Sequence, residues 1–237
     1  MAEGNSCVFV VSVGGSLLFG ETPDLEKIKK IAGSINKLAR EGAHFVVVVG
    51  GGKPARTYLE AARNLGADNE IQDLLGIRIT RANALLFAQA LENAHAEIIT
   101  SAAEVKAVLD SGKIPVLGGL KPGITTDGVA ALVTEALCEG TRTKPIFINL
   151  TNVAGVYTAD PRKDKKAKLL ERLSYAELIR IVSAAEQRPG QNIVLDLPCC
   201  RTLEKNKIRT FVLDGNDLPN FKHAVRGEKF KGTVIGG

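Results

Sequence analysis

The stretch at residues 45–56, FVVVVGGGKPAR, constrains this chain more than any other. Phe45 is followed by four valines, a run too short for a helix and β-branched enough for a buried strand. Gly50, Gly51 and Gly52 then remove every Cβ where that strand ends. Pro54 suits the first turn of a helix, because its fixed φ fits and its missing N–H would be unpaired there. The segment therefore reads as strand, glycine turn and helix start. That geometry gathers backbone N–H groups and the positive helix end at one point, which either binds an anion or serves a tight turn alone. Lys53 and Arg56 would add charge. It is not a Walker A loop, since Pro54 stands where a Ser or Thr must hold Mg²⁺, and it is not G-x-G-x-x-G.

The same grammar recurs. Residues 7–12, CVFVVS, read as a first strand ending at Gly14-Gly15-Ser16. Residues 114–117 read as another, ending at Gly118-Gly119, with the loop 120–126 leading through Thr125 and Thr126 into an alanine-rich helix. Either threonine would cap that helix or bind an anion. Helices are expected at 23–41, after the glycine turn with Tyr58, Leu59, Ala62 and Leu65 facing inward, and at 70–92 with a break near Gly76. Further strands are expected at 97–99, 145–150, 209–213 and 232–235, and further helices at 102–111, from Asp196, and at 218–226. Ser174 and Glu177 form a capping box, and residues 188–192 read as a loop. Alternating strands and helices predict an α/β chain with a mostly parallel sheet covered on both faces. In such sheets sites lie at the strand carboxyl ends, so the three glycine turns should converge. Asp73, Arg78, Arg81 and Asn83 would then either grip a ligand or face solvent.

Composition narrows the function. The 237 residues carry a net charge of +5 and only 5% aromatics, and the basic residues are scattered apart from RKDKKAK at 162–168. A nucleic-acid surface more often shows a basic stripe with aromatics, so no nucleic-acid partner is expected. No apolar run approaches the ~18 residues of a membrane span. Cys7, Cys138, Cys199 and Cys200 lack zinc-site spacing, and the initial MAEGNS lacks the features of a signal peptide. Reduced thiols and a cytoplasmic location are expected, with the Cys199-Cys200 pair packing a helix.

The motifs VGGS (13–16), VVVGGGKPAR (47–56), GIRITRANALL (76–86), LGGLKPGITTDGVAAL (117–132), TNVAGVYTADP (151–161) and a terminal GTVIG resemble the amino-acid-kinase superfamily. Within it the chain is most similar to UMP kinases of the archaeal type, from Val8 to Gly236. The resemblance implies a single three-layer α/β/α sandwich domain and a homohexamer built from dimers. It implies transfer of the ATP γ-phosphoryl to UMP with Mg²⁺. Residues of about 1–144 would hold UMP, and about 145–237 ATP. Carried over motif by motif, Gly51, Asp73 and the loop Leu120, Lys121, Pro122, Gly123, Ile124, Thr125, Thr126 would contact UMP, with Asp73 on the sugar. Gly15, Ser16, Gly52 and Arg56 would surround the transferring phosphates. Thr151, Asn152, Tyr157 and Asp160 would hold ATP.

Three departures bear on catalysis. Many members carry a lysine two residues before the first glycine, where this chain has Ser12; archaeal-type relatives often lack it too. Lys53, Lys163, Lys165 or Lys168 are the candidates to supply that charge. Ala154 replaces a common aspartate, and DLPCC at 196–200 departs from the usual apolar run. Chain length around 139–144 is also slightly greater. The alternatives are another phosphate kinase of this fold or a non-catalytic nucleotide- or oxyanion-binding protein. For isopentenyl phosphate kinase, the histidine expected just past the glycine turn is missing here.

Overall fold

The structure is a computed structural model, and it describes residues 7–138, 144–186 and 194–236. Among them run seven strands: β1 (Val8–Val13), β2 (His44–Val49), β3 (Val116–Leu117), β4 (Ile146–Thr151), β5 (Arg172–Leu173), β6 (Thr210–Asp214) and β7 (Thr233–Ile235). They form one sheet in the order β3-β2-β1-β4-β6-β7-β5. All pairs are parallel except β6 with β7, which is antiparallel. The N-terminal tail, the residues around 139–143 and the expected loop at 188–192 lie outside the described residues.

The apolar runs are continuous because each central strand is buried on both faces. Phe9, Val11 and Val13 of β1, with Phe45, Val47 and Val49 of β2, point into one core. There they meet α1 (Gly15–Leu18), α2 (Leu25–Arg40), the end of α4 (Asn69–Ala88) and α9 (Leu218–Val225). Val8, Val10, Val46 and Val48 point into the other core. That core is closed by α5 (Val105–Asp110), α6 (Thr126–Cys138), α7 (Tyr175–Glu186) and α8 (Leu197–Asn206). Three layers result, α/β/α. Cys199 and Cys200 are fully buried in the second core and in no disulfide, as expected of helix packing.

Local chemistry sets the helix ends. Asp24 caps α2 by accepting the Lys27 N–H at 3.0 Å, and Asp68 caps α4 through Ile71. In the capping box, Ser174 N–H donates to Glu177 at 2.8 Å and Glu177 N–H returns to Ser174 Oγ at 3.2 Å. Thr125 caps α6, its Oγ1 accepting the Gly128 N–H at 3.1 Å.

Three expectations need correction, and one strand is additional. On α3 (Gly52–Asn64) Ala62 is buried, but Tyr58 is 59% exposed, and Leu65, just past its end, is 88% exposed. The apolar face of this helix is therefore narrower than its sequence suggests. Helix α4 runs unbroken through Gly76, since one glycine costs a helix only about 1 kcal/mol. Residues 97–99 make one isolated bridge, Ile99 to Leu117, rather than a strand. The two-residue β5 was not expected, being too short to carry a pattern.

Candidate active site

The chain order along the sheet reverses between β1 and β4, so their carboxyl ends form the topological switch point. There the glycine turns converge. Gly14 N–H donates to Leu150 O at 2.9 Å and Gly50 N–H to Val13 O at 3.0 Å. A Cβ on Gly15 would lie 2.1 Å from Gly52 N, and one on Gly50 would lie 2.5 Å from Gly15 N. Gly52 has φ +63° and sits against Phe19 O. Only glycines let the two backbones touch in this way. The first turn of α3 thus stands at the centre of the switch point. Lys53 N–H donates to Phe19 O at 2.9 Å, Ala55 N–H to Gly51 O at 3.4 Å, and Pro54 has no N–H, which leaves the Gly52 N–H as the one in that turn aimed at the cavity beside it.

Two cavities flank that turn. One, of about 450 Å³, is lined by Gly51, Gly52, Asp73, Thr80, Lys121, Gly123, Ile124, Thr125 and Thr126 among others. The structure thus brings together most of the residues expected around the acceptor; Leu120 and Pro122 are not in its wall. Asp73 Oδ2 accepts the Gly123 N–H at 2.6 Å, tying α4 to the loop. Thr80 Oγ1 accepts the Gly119 N–H at 2.8 Å and donates to Ile77 O. Arg81 donates to the carbonyls of Gly119 and Leu120 at 3.0 and 3.2 Å. Asn83 Nδ2 donates to the carbonyls of Gly50 and Gly51, both at 3.0 Å. Arg81 and Asn83 therefore hold loop backbone in place, while Arg78 is exposed. Thr80 was not anticipated, because nothing in the sequence marks a mid-helix threonine as a loop anchor.

The other cavity, of about 700 Å³, is lined by Ser16, Arg56, Thr151, Asn152, Tyr157 and Asp160, all expected near the donor. Gly15 and Gly52 are not in its wall; Gly52 faces the first cavity and Gly15 supports it. Arg162, Arg180 and Val194 also line it, unforeseen from sequence. The Asp160 side chain is only 5% exposed, and both its oxygens accept from Arg162, at 3.0 and 3.3 Å. The Arg162 hydrogen bonds hold the Asp160 carboxyl below its ordinary range. Thr233 of the GTVIG end accepts the Val156 N–H at 2.8 Å, which pins the wall of this cavity to β7.

Lys53 pairs with Glu21 and lines neither of these cavities. Lys163, Lys165 and Lys168 are exposed on the 160–168 turn, again outside both walls. Ser12 is buried at the end of β1, and its Oγ donates to Asp127 Oδ1 at 2.7 Å. The Asp127 carboxyl is enclosed, and burial raises its pKa from 3.8 to about 6, with Ser12 pulling it back and the Asp196 charge adding to the rise.

Chemically, this is a pair of nucleotide-sized cavities meeting at one helix N-terminus and two glycine turns. A model of the amino acid kinase family matches residues 8–214. The uridylate kinase of Archaeoglobus fulgidus is 41% identical over 226 residues, 95% of this chain and 98% of that protein. That of Pyrococcus abyssi is 39% identical over 227 residues, with the same coverage of each chain. The crystal structure of the Archaeoglobus fulgidus uridylate kinase is similar with a TM-score of 0.84 at 40% identity, over 96% of this chain and 99% of that one. UMP kinase from Ureaplasma parvum shares the fold at 20% identity, with a TM-score of 0.77 over 98% of this chain and 99% of that one. The chain belongs to the amino acid kinase family and, within it, groups with the uridylate kinases of the archaeal type.

Proposed function

We propose that this protein is a uridylate kinase. A UMP phosphate oxygen attacks the γ-phosphorus of ATP, and the bond from that phosphorus to the β–γ bridging oxygen breaks, giving UDP and ADP. The observation that carries this reading is the placement of two cavities on either side of the α3 N-terminus, with Gly51 and Gly52 on one side and Ser16 and Arg56 on the other. Phosphoryl transfer asks little covalent chemistry of a protein; it asks for in-line positioning and positive potential on the moving group.

In this reading UMP fills the smaller cavity. The second oxygen of Asp73 takes a sugar hydroxyl, and Lys121, Thr126, the Gly52 N–H and the first-turn N–H groups of α6 face the phosphate. ATP fills the larger cavity against Thr151, Asn152 and Tyr157, with Asp160 acting through Arg162. Residues of about 1–144 supply the acceptor side and 145–237 most of the donor side. Arg56 and Arg162 line the donor cavity and supply positive charge there, and Lys53 or Lys163, Lys165 and Lys168 would reach the moving group by side-chain movement. Among the described residues no three acidic, histidine or cysteine groups gather into a cage; Mg²⁺ would arrive on the ATP phosphates and their waters, offsetting their charge.

No helix among the described residues is long and apolar enough to cross a membrane, and four cysteines, none in a disulfide, suit a reducing compartment such as the cytoplasm. The product places the enzyme in pyrimidine nucleotide synthesis. Tyr58, Leu65, Ile71, Leu74, Leu85 and Leu86 are exposed on or beside α3 and α4, a patch suited to self-association into dimers and a hexamer. The function is tested by separating the products of UMP, ATP and Mg²⁺ chromatographically. UDP and ADP should appear in equal amounts; ADP without UDP would refute the reading.

A further inference from the structure

The loop over the smaller cavity is anchored from the other half of the chain. Thr125 closes that loop and caps α6 with a lone pair of its hydroxyl. The hydroxyl proton goes to Oδ2 of Asp196, 71 residues further on. Asp196 stands at the start of α8, where its Oδ1 accepts the Cys199 N–H at 2.7 Å. One carboxylate therefore caps a helix of the second half with one oxygen and holds the acceptor loop with the other. Beside it, Asp127 accepts from Ser12 at the end of β1. The end of β1 and the starts of α6 and α8 thus meet through two carboxylates, each with its own hydroxyl donor. A hydroxyl has one proton to give. While Thr125 gives it to Asp196, its part is to place the loop, and donation to an acceptor phosphate falls to its neighbours.

We propose that Asp196 is a positioning residue for the acceptor nucleotide, setting the 120–126 loop over the cavity through Thr125. The proposal rests on the uridylate kinase reading and names a residue outside both cavity walls. Because the tie runs to the acceptor loop alone, its loss falls on UMP and spares ATP.

Asp196→Asn separates this role from helix capping. Asparagine caps a helix as well as aspartate does, so the Cys199 N–H keeps its acceptor. The amide that replaces Oδ2 has no lone pair for the Thr125 proton. Initial rates are measured with UMP and ATP varied in turn. In Asp196→Asn the KM for UMP should rise about tenfold, with the KM for ATP within roughly twofold and Tm within about 2 °C of the parent. Thr125→Val should give the same rise, Thr125→Ser should recover most of it, and the double variant Asp196→Asn/Thr125→Val should be no worse than either single. An unchanged KM for UMP, an equal rise in both KM values, or additive single effects would overturn the proposal. Wild-type protein that turns over UMP beside an unaltered Asp196→Asn overturns this proposal alone. Wild-type protein that never turns over UMP overturns the kinase reading and this proposal with it.

Discussion

Asp127→Asn should stabilise the protein at neutral pH. In the folded chain the Asp127 carboxyl is enclosed, accepts from Ser12, and feels the like charge of Asp196; its pKa rises from 3.8 to about 6. The folded state therefore keeps a proton that the unfolded chain has released. Stability falls as pH rises through the window from 3.8 to about 6, and the full penalty stands above it. A shift of that size corresponds to about 3 kcal/mol at 1.36 kcal/mol per unit. The residue as a whole is only half-buried, so solvent screening reduces the penalty, to ~1–3 kcal/mol. Asparagine has the same shape, keeps an oxygen for Ser12, and turns an amide toward Asp196. In a chain of this length the gain is a rise in Tm of roughly 2–10 °C at pH 7.5, shrinking to about half in free energy at pH 5. Thermal unfolding of both proteins at pH 5, 6, 7 and 7.5, at one protein concentration because assembly shifts Tm, measures it. An asparagine variant no more stable than the parent, or a gain that does not depend on pH, would refute the reasoning.

Three further expectations concern the two cavities. Asp73→Asn should raise the KM for UMP about tenfold and leave that for ATP unchanged, because it weakens the acceptor for Gly123 N–H and for a sugar hydroxyl; initial-rate kinetics decide, and equal losses would count against it. Asp160→Ala should do the reverse, since it releases Arg162 at the donor wall; unchanged ATP affinity by calorimetric titration would remove Asp160 from that site. Thr80→Val should cost ~1–3 kcal/mol in denaturant unfolding, because the buried Gly119 N–H loses its acceptor. A neutral result there would mean that water replaces the hydroxyl.

Much of this architecture is legible in the sequence, for identifiable reasons. Short valine-rich runs ending in glycine state both the strand and the backbone contact beyond it, and the Gly15–Gly52 approach is the outcome. The loop at 120–126 and the residues around Asp160 are legible because glycine, proline and hydroxyls cluster there. The acceptor side was read more fully than the donor side, where Arg162 and Arg180 carry no spacing of their own. Anchors that act across the chain are not legible at all. Thr80 to Gly119, Asn83 to Gly50, and Asp196 to Thr125 join residues 33 to 71 positions apart. No local pattern distinguishes such side chains from solvated ones. Tyr58 and Leu65 turn outward against expectation because an apolar stripe in a sequence does not say what covers it. The four lysines were named for charge alone, and long flexible side chains leave their reach to be decided by ligand.

The central claim is tested most directly by ADP formation from Mg-ATP with UMP, CMP, dUMP or isopentenyl phosphate supplied in parallel. Turnover highest with UMP, and weak or missing with isopentenyl phosphate, is the predicted result. Turnover highest with another acceptor, or none with any acceptor despite saturable nucleotide binding, would contradict it.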